Sequence, residues 1–256
     1  MNNKLIQLFQ TENKNLLNIY CTAGFPKKES TIEVILSLQK NGVDMVEVGM
    51  PYSDPIADGD VIQASNMVAL NNGMTIELLF KQLNSAIKKI KVPIILMGYL
   101  NPVLQYGIEK FCTHAATAGV SGIILPDLPM YEYENLYKKY FLQNNLSFIN
   151  LITPQTSTKR ILEADNQSTG FIYAVSSSTT TGSTNLGENK KEYFEKISSL
   201  KLKNNLMIGF GISNKKTFNN ACKYAAGAII GSAYIKALAK NSNIEEATNS
   251  FIKTIR

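Results

Sequence analysis

The chain has 256 residues, of which 45% are apolar, 9% aromatic and 18% charged. That balance fills a sizeable core, which excludes a disordered chain or a coiled coil, and the length lies near the upper limit for one core. A formal charge of +6 admits an anionic partner. The lysines fall in scattered pairs such as Lys88-Lys89 and Lys190-Lys191, however, and no basic patch interleaved with aromatics marks a nucleic-acid surface.

No stretch approaches the roughly 18 apolar residues of a membrane span, and MNNKLIQLFQTENK lacks the apolar core of a secretory signal, so a cytoplasmic protein is expected. Cys21, Cys112 and Cys222 form no pair with metal-ligand spacing and read as small core residues. The single histidine, His114, lies in the helix-like EKFCTHAATAGV, far from any nucleophile. Catalytic zinc sites and Ser-His or Cys-His pairs need more than that, so no metal site is expected and chemistry falls to carboxylates, tyrosines or lysines.

In chain order, Met1–Asn15 reads as an extra helix. Eight short apolar runs follow: Leu17–Cys21, Met45–Val48, Ile94–Met97, Ile123–Leu125, Phe148–Ile152, Phe171–Val175, Leu206–Phe210 and Ala228–Ile230. Between them lie amphipathic stretches such as TIEVILSLQKNG and TIELLFKQLNSAIKKI, with apolar residues three and four apart. Near-continuous apolar strands alternating with helices predict an α/β fold with a parallel sheet. Eight units in this length predict one (β/α)8 TIM barrel over residues 1–256, closed at its bottom by the N-terminal helix. A doubly wound open sheet is the alternative, but no GxGxxG or Walker sequence follows the first run.

In such a barrel the loops at the C-terminal strand ends build the site. Glu47 interrupts the second apolar run, so it is ion-paired, opens on a cavity, or holds its proton near neutral pH. No basic residue occupies any of the eight runs. Of the three aspartates in SDPIADGD, Asp54 is explained as a turn former and Asp60 as a helix cap; for Asp58 a turn role is weaker, since Gly59 already supplies the turn, and the residues alone leave a structural and a catalytic role open. GFGIS and IIGSAYIKAL end the seventh and eighth runs with glycines, Gly211 and Gly231, just before helix starts. That pattern suits backbone N–H groups gripping a phosphate, although each glycine can also simply turn a corner. The long polar segment SSSTTTGSTNLGENKK after the sixth run reads as a lid, in which Thr181-Gly182 offers a further donor.

Taken together, YCTAGFP, EVGMPYSDPIADGDVIQ, LMGYLNPV, LPDLP, GFGIS and GSA give a chain that resembles the tryptophan synthase alpha-subunit family over essentially its full length. The resemblance implies retro-aldol cleavage of indole-3-glycerol phosphate to indole and glyceraldehyde 3-phosphate. It implies Glu47 as general acid/base, Asp58 as the partner of the indole N–H, Tyr173 beside the scissile bond and Tyr20 lining the indole pocket. Thr181, Gly182, Gly211, Gly231 and Ser232 would grip the phosphate. It further implies no cofactor in this chain and an α2β2 assembly with a beta subunit that carries pyridoxal phosphate. The docking surface would lie near Pro55, Ile56, Leu100, Pro102, Val103 and Leu104. The chain departs from the family pattern at Thr179-Thr180-Thr181-Gly182, which lacks the usual first glycine, and at Tyr52, where phenylalanine is frequent. Two rival readings are another phosphate-binding barrel enzyme and a ligand-gated subunit without chemistry of its own.

Overall fold

The computed structural model describes residues 3–176, 187–209 and 211–256, with no side-chain description for 187–190. The first half runs α1 (Lys4–Thr11), β1 (Leu16–Thr22), α2 (Ser30–Lys40), β2 (Met45–Gly49), α3 (Asp60–Asn71), α4 (Ile76–Ala86), β3 (Ile94–Met97), α5 (Leu100–Tyr106), α6 (Ile108–Thr117) and β4 (Val120–Ile124). There follow α7 (Met130–Glu132), a π-helical turn (Tyr133–Tyr137), α8 (Lys138–Gln143), β5 (Ser147–Phe148), β6 (Leu151–Ile152), α9 (Thr158–Gln167) and β7 (Phe171–Val175). The chain ends with α10 (Gly187–Ser199), β8 (Asn205–Gly209), α11 (Lys215–Ala221), β9 (Gly227–Ile230), α12 (Ser232–Lys240) and α13 (Ile244–Ile252).

The strands pair in parallel in the order β5-β4-β3-β2-β1-β9-β8-β7-β6. The two ends of that list are consecutive in the chain. They are the halves of the predicted fifth run, separated by Ile149 and Asn150. The first half pairs with β4 through Gly122 and Ile123, and the second with β7 through Tyr173 and Ala174. At the bend, Ile149 N–H still donates to Ile123 (3.1 Å) and Tyr173 N–H to the Asn150 carbonyl (3.0 Å). The sheet therefore closes into the eight-stranded ring that the apolar runs predict, and the open-sheet alternative falls away. Strand four begins earlier than expected, at Val120, which pairs with Ile94 of β3, and the side chains of Leu5 and Ile149 pack against its Gly122. Of the seventh run, Phe210 lies outside the described residues.

Residues of β1, β2, β3, β4, β7 and β9 are buried along their whole length, as strands covered by helices on one side and by the barrel interior on the other must be. The helices close the outer layer with one apolar stripe each, for example Leu79, Phe80 and Leu83 on α4 and Tyr234, Ile235 and Leu238 on α12. Asp60 is not the cap of α3: Gly59 takes the cap position and Asp60 is the first helical residue, where its charge complements the helix dipole. His114 sits on α6 with Nδ1 2.6 Å from the Tyr106 hydroxyl, as a packing histidine does.

The N-terminal helix closes the bottom. Asn3 caps α1 through Oδ1, which accepts from Leu5 and Ile6 N–H. Its Nδ2 donates to the carbonyls of Ser121 and Asn145, both at 2.8 Å. Leu5, fully buried, lies against Gly122 and Gly170. Beside it, Asp44 accepts from Leu17 N–H and pairs with Arg256, which also donates to the Asn15 carbonyl. Because Asn3 fastens helix cap and barrel floor with one buried side chain, Asn3→Ala is expected to lower stability by roughly 2 kcal/mol in urea unfolding. Urea curves that superpose on those of the parent would show α1 to be only loosely attached.

Candidate active site

At the C-terminal end of the ring lies a cavity of about 330 Å³. Its walls include Tyr20, Glu47, Asp58, Tyr173, Gly211, Gly231 and Ser232, so the described residues singled out from the sequence meet in one place. Thr181 and Gly182 lie outside the described residues. Ile62, Met97, Ile212 and Ile229 supply the apolar lining, which suits a flat apolar ligand with an anionic tail. A larger groove of about 530 Å³ between the loops after β4 and β6 contains none of these residues.

Glu47 is 1% exposed. In the ladder it lies between Tyr20 of β1 and Ile95 of β3, so no cation flanks it, and among the described residues no ion pair reaches it. The Asn18 amide donates to Oε2 at 3.1 Å. Burial pushes the carboxyl up to about 8; the Asn18 hydrogen bond opposes the shift and the Asp58 charge adds to it. Asp58 lies in the loop after β2 and is buried against its neighbours. Burial raises it to about 6 against two donors, the Tyr99 hydroxyl and Asn66 Nδ2 at 3.3 Å. Near neutral pH the two carboxyls thus favour opposite protonation states, an acid and an anion facing one cavity.

Tyr20 and Tyr173 are each seated over a glycine of the next strand. A Cβ built on Gly49 would stand 2.0 Å from the Tyr20 hydroxyl oxygen, and one on Gly209 would stand 2.3 Å from that of Tyr173. No side chain fits beneath either ring, so Gly209 serves Tyr173, while Gly211, at φ 72°, turns the chain along the cavity rim. Gly231 is the cap residue of α12 and has no side chain to close the helix end, so the first N–H groups of that helix are free to meet an anion.

Three contributors escape a reading of the strand ends alone. Asn18 looks like an ordinary strand residue among apolar neighbours. Tyr99, 3% exposed, sits in the GYLNP motif; its hydroxyl accepts from Ala57 N–H at 3.0 Å, which turns its proton toward Asp58. Lys236 reaches the cavity from α12 with its side chain exposed, so a lysine is present here, on a helix and not on any strand. Its spacing, one helical turn after Ser232 on the same face, is the signal that could have found it.

Ile56 is 78% exposed and Leu104 43%, whereas Val103 is fully buried and belongs to the core, not to a surface. Tyr131, in the loop after β4, is 78% exposed and adds an apolar group to that end of the barrel.

Tyr99→Phe removes a donor to the ionised form of Asp58, so its pKa is expected to rise by about one unit above 6 in carboxyl-resolved NMR titration. An unmoved titration would detach Tyr99 from Asp58. Burial of Glu47 also makes stability depend on pH. Its folded pKa lies above the ordinary 4.5, so its stabilising contribution is complete below 4.5 and is lost as pH rises toward about 8. Glu47→Gln, which cannot ionise, is therefore expected to gain thermal stability over the parent as pH rises from 5 to 8, and a constant difference across that range would contradict the buried, unpaired carboxyl.

The family described as "Tryptophan synthase alpha chain" matches residues 6–255. The chain is 52% identical to the tryptophan synthase alpha chain of Flavobacterium johnsoniae, over 94% of this chain and 95% of that one. It is 46% identical to that of Bacteroides thetaiotaomicron, over 96% of each. Among solved structures, the tryptophan synthase complex of Pyrococcus furiosus superposes with a TM-score of 0.86 at 28% identity, covering 95% of this chain and 98% of that one. The aminoacrylate-bound tryptophan synthase of M. tuberculosis gives 0.85 at 26%, covering 99% and 100%. With the predicted barrel closed, its candidate side chains gathered round one cavity and the match running from end to end, this chain belongs to the tryptophan synthase alpha chain family.

Proposed function

We propose that residues 1–256 act as one catalytic (β/α)8 domain that cleaves indole-3-glycerol phosphate to indole and glyceraldehyde 3-phosphate, a carbon-carbon lyase reaction in tryptophan biosynthesis. The observation that carries the reading is Glu47, buried without a cation and sharing a cavity with the uncapped start of α12. Protonated at neutral pH, Glu47 delivers its proton to C3 of the indole ring. C3 becomes tetrahedral and the positive charge is shared by C2 and the ring nitrogen, an indolenine cation that the Asp58 anion stabilises through the N–H. The Glu47 carboxylate takes the proton of the glycerol hydroxyl next to C3, the C–C bond breaks, its electron pair returns to the ring and the aldehyde departs. Glu47 ends the cycle protonated, as it began.

The phosphate sits far from the bond that breaks and contributes orientation. Backbone N–H groups at Gly211, Gly231 and Ser232 are assigned to it, with the Lys236 ammonium as counter-charge; Thr181 and Gly182 are the proposed donors from the lid. Tyr20 lines the indole pocket and Tyr173 stands beside the scissile bond.

The proposed partner is a beta subunit holding pyridoxal phosphate, in an α2β2 assembly that receives the indole. Support comes from structural neighbours that are tryptophan synthase complexes and from exposed Ile56, Leu104 and Tyr131 near the cavity's end of the barrel. No helix among the described residues is long and apolar enough to cross a membrane, which fits a proposed cytoplasmic setting.

The test is indole release from indole-3-glycerol phosphate, with and without a cognate beta subunit. Glu47→Gln is expected to abolish release while substrate affinity stays within about tenfold, since proton transfer is lost and the phosphate grip is kept. Gly211→Val should act mainly on KM. Full turnover by Glu47→Gln would overturn the assignment of the proton carrier.

A further inference from the structure

The side chain that meets Glu47 directly is Asn18, two residues before Tyr20 on β1 and completely buried. A fully buried amide between Leu17 and Ile19 of a barrel strand needs a reason. Its Nδ2 donates to Glu47 Oε2 at 3.1 Å. Its Oδ1 is buried and has no hydrogen-bond partner among the described residues. The residues beside Asn18 in the ladder, Met45 of β2 and Ile229 of β9, are apolar and offer none. An orphan acceptor of that kind is rare in a native interior.

The two protonation states of Glu47 need opposite partners. The carboxylate accepts, and needs a donor; the carboxylic acid donates, and needs an acceptor. An amide carries one of each on a single carbon, and its terminal torsion has two nearly equivalent settings half a turn apart. A lysine or arginine in this place could serve only the anion, and a leucine neither state.

We propose that Asn18 is the positioning residue of Glu47, giving Nδ2 to the carboxylate and, with the amide turned over, Oδ1 to the carboxylic acid. Glu47 then keeps one orientation while its proton leaves for the ring carbon and is replaced from the glycerol hydroxyl. The unpartnered oxygen is the acceptor held for the second state. The proposal rests on the reading of Glu47 as the proton carrier and deepens it.

Other groups act on Glu47 as well. Tyr20 and Cys21 of β1, Asp58 from the loop after β2 and Tyr173 of β7 are its titratable neighbours, and Lys236 reaches the same cavity from α12. The β3 residue opposite Glu47, Ile95, is apolar. The hydrogen bond described to Glu47 itself comes from the Asn18 amide.

Asn18→Leu keeps the volume and removes both functions; Asn18→Val is the second variant should leucine pack badly. Hydrogen bonds to an ion are stronger than those to its neutral form, so losing both shifts the balance toward the acid. The alkaline limb of kcat/KM for indole release is expected to move up by about one pH unit, with kcat about tenfold lower and KM within about threefold. A structural role alone would leave that limb in place. The acceptor half is read by difference infrared spectroscopy without substrate. The carboxyl band of protonated Glu47, assigned by its loss in Glu47→Gln, should move to higher frequency in Asn18→Leu as its hydrogen bond is lost.

A limb that stays put, or a band that does not move, overturns the proposal. If the parent releases no indole, the lyase reading fails instead, while the infrared band still reports on the Asn18–Glu47 pair.

Discussion

A carboxyl group inside a closed ring of strands, with no ion pair to it among the described residues, is the constraint around which the rest of this molecule is arranged. Glu47 is almost wholly withdrawn from bulk solvent, so the group is accommodated by holding its proton, by the Asn18 amide and by opening on a cavity. Each has a structural requirement. The proton demands distance from lysine and arginine side chains, and no strand carries one. The amide demands a polar residue on β1, in a row otherwise apolar on either side. The cavity demands that flanking side chains stop short of the axis, which is what Tyr20 and Tyr173 achieve by lying over glycines.

Asp58 is managed differently. It belongs to a loop, so its carboxylate is held from outside, by Tyr99 from the loop after β3 and by Asn66 from α3. Tyr99 is itself fixed at both ends. Its hydroxyl accepts from Ala57 N–H, and the next residue, Leu100, donates its N–H to Asp127 of the LPDLP segment at 2.9 and 3.0 Å. Loops two, three and four are thereby tied into one unit bearing an acidic group on its inner side and Ile56, Leu104 and Tyr131 on its outer side.

Much of this was legible before any coordinates. Apolar runs of the right number predict the ring, since burial on two faces leaves no room for polar alternation. Glu47 is conspicuous because it breaks such a run. What escaped notice did so for physical reasons. Asn18 is a polar residue small enough to pass as a strand residue, and only its distance to Glu47 gives it meaning. Tyr99 and Lys236 lie on elements whose direction is set by tertiary packing, so spacing alone does not aim them. Strand five reads as one run although polar Asn150 interrupts it, at the bend where the ring passes from pairing with β4 to pairing with β7. Val103 sits in the same short segment as exposed Leu104, but the turn of α5 directs it inward.

The tyrosine-on-glycine arrangement carries a consequence for the shape of the chamber. Its floor is set by couples, Tyr20 with Gly49 and Tyr173 with Gly209, in which the larger partner fills the space that the smaller vacates. Altering a ring alone would leave a void above bare backbone, and altering a glycine alone would drive a ring into the chamber. Reshaping this barrel for a bulkier heterocycle therefore means exchanging members of a couple together, across neighbouring strands.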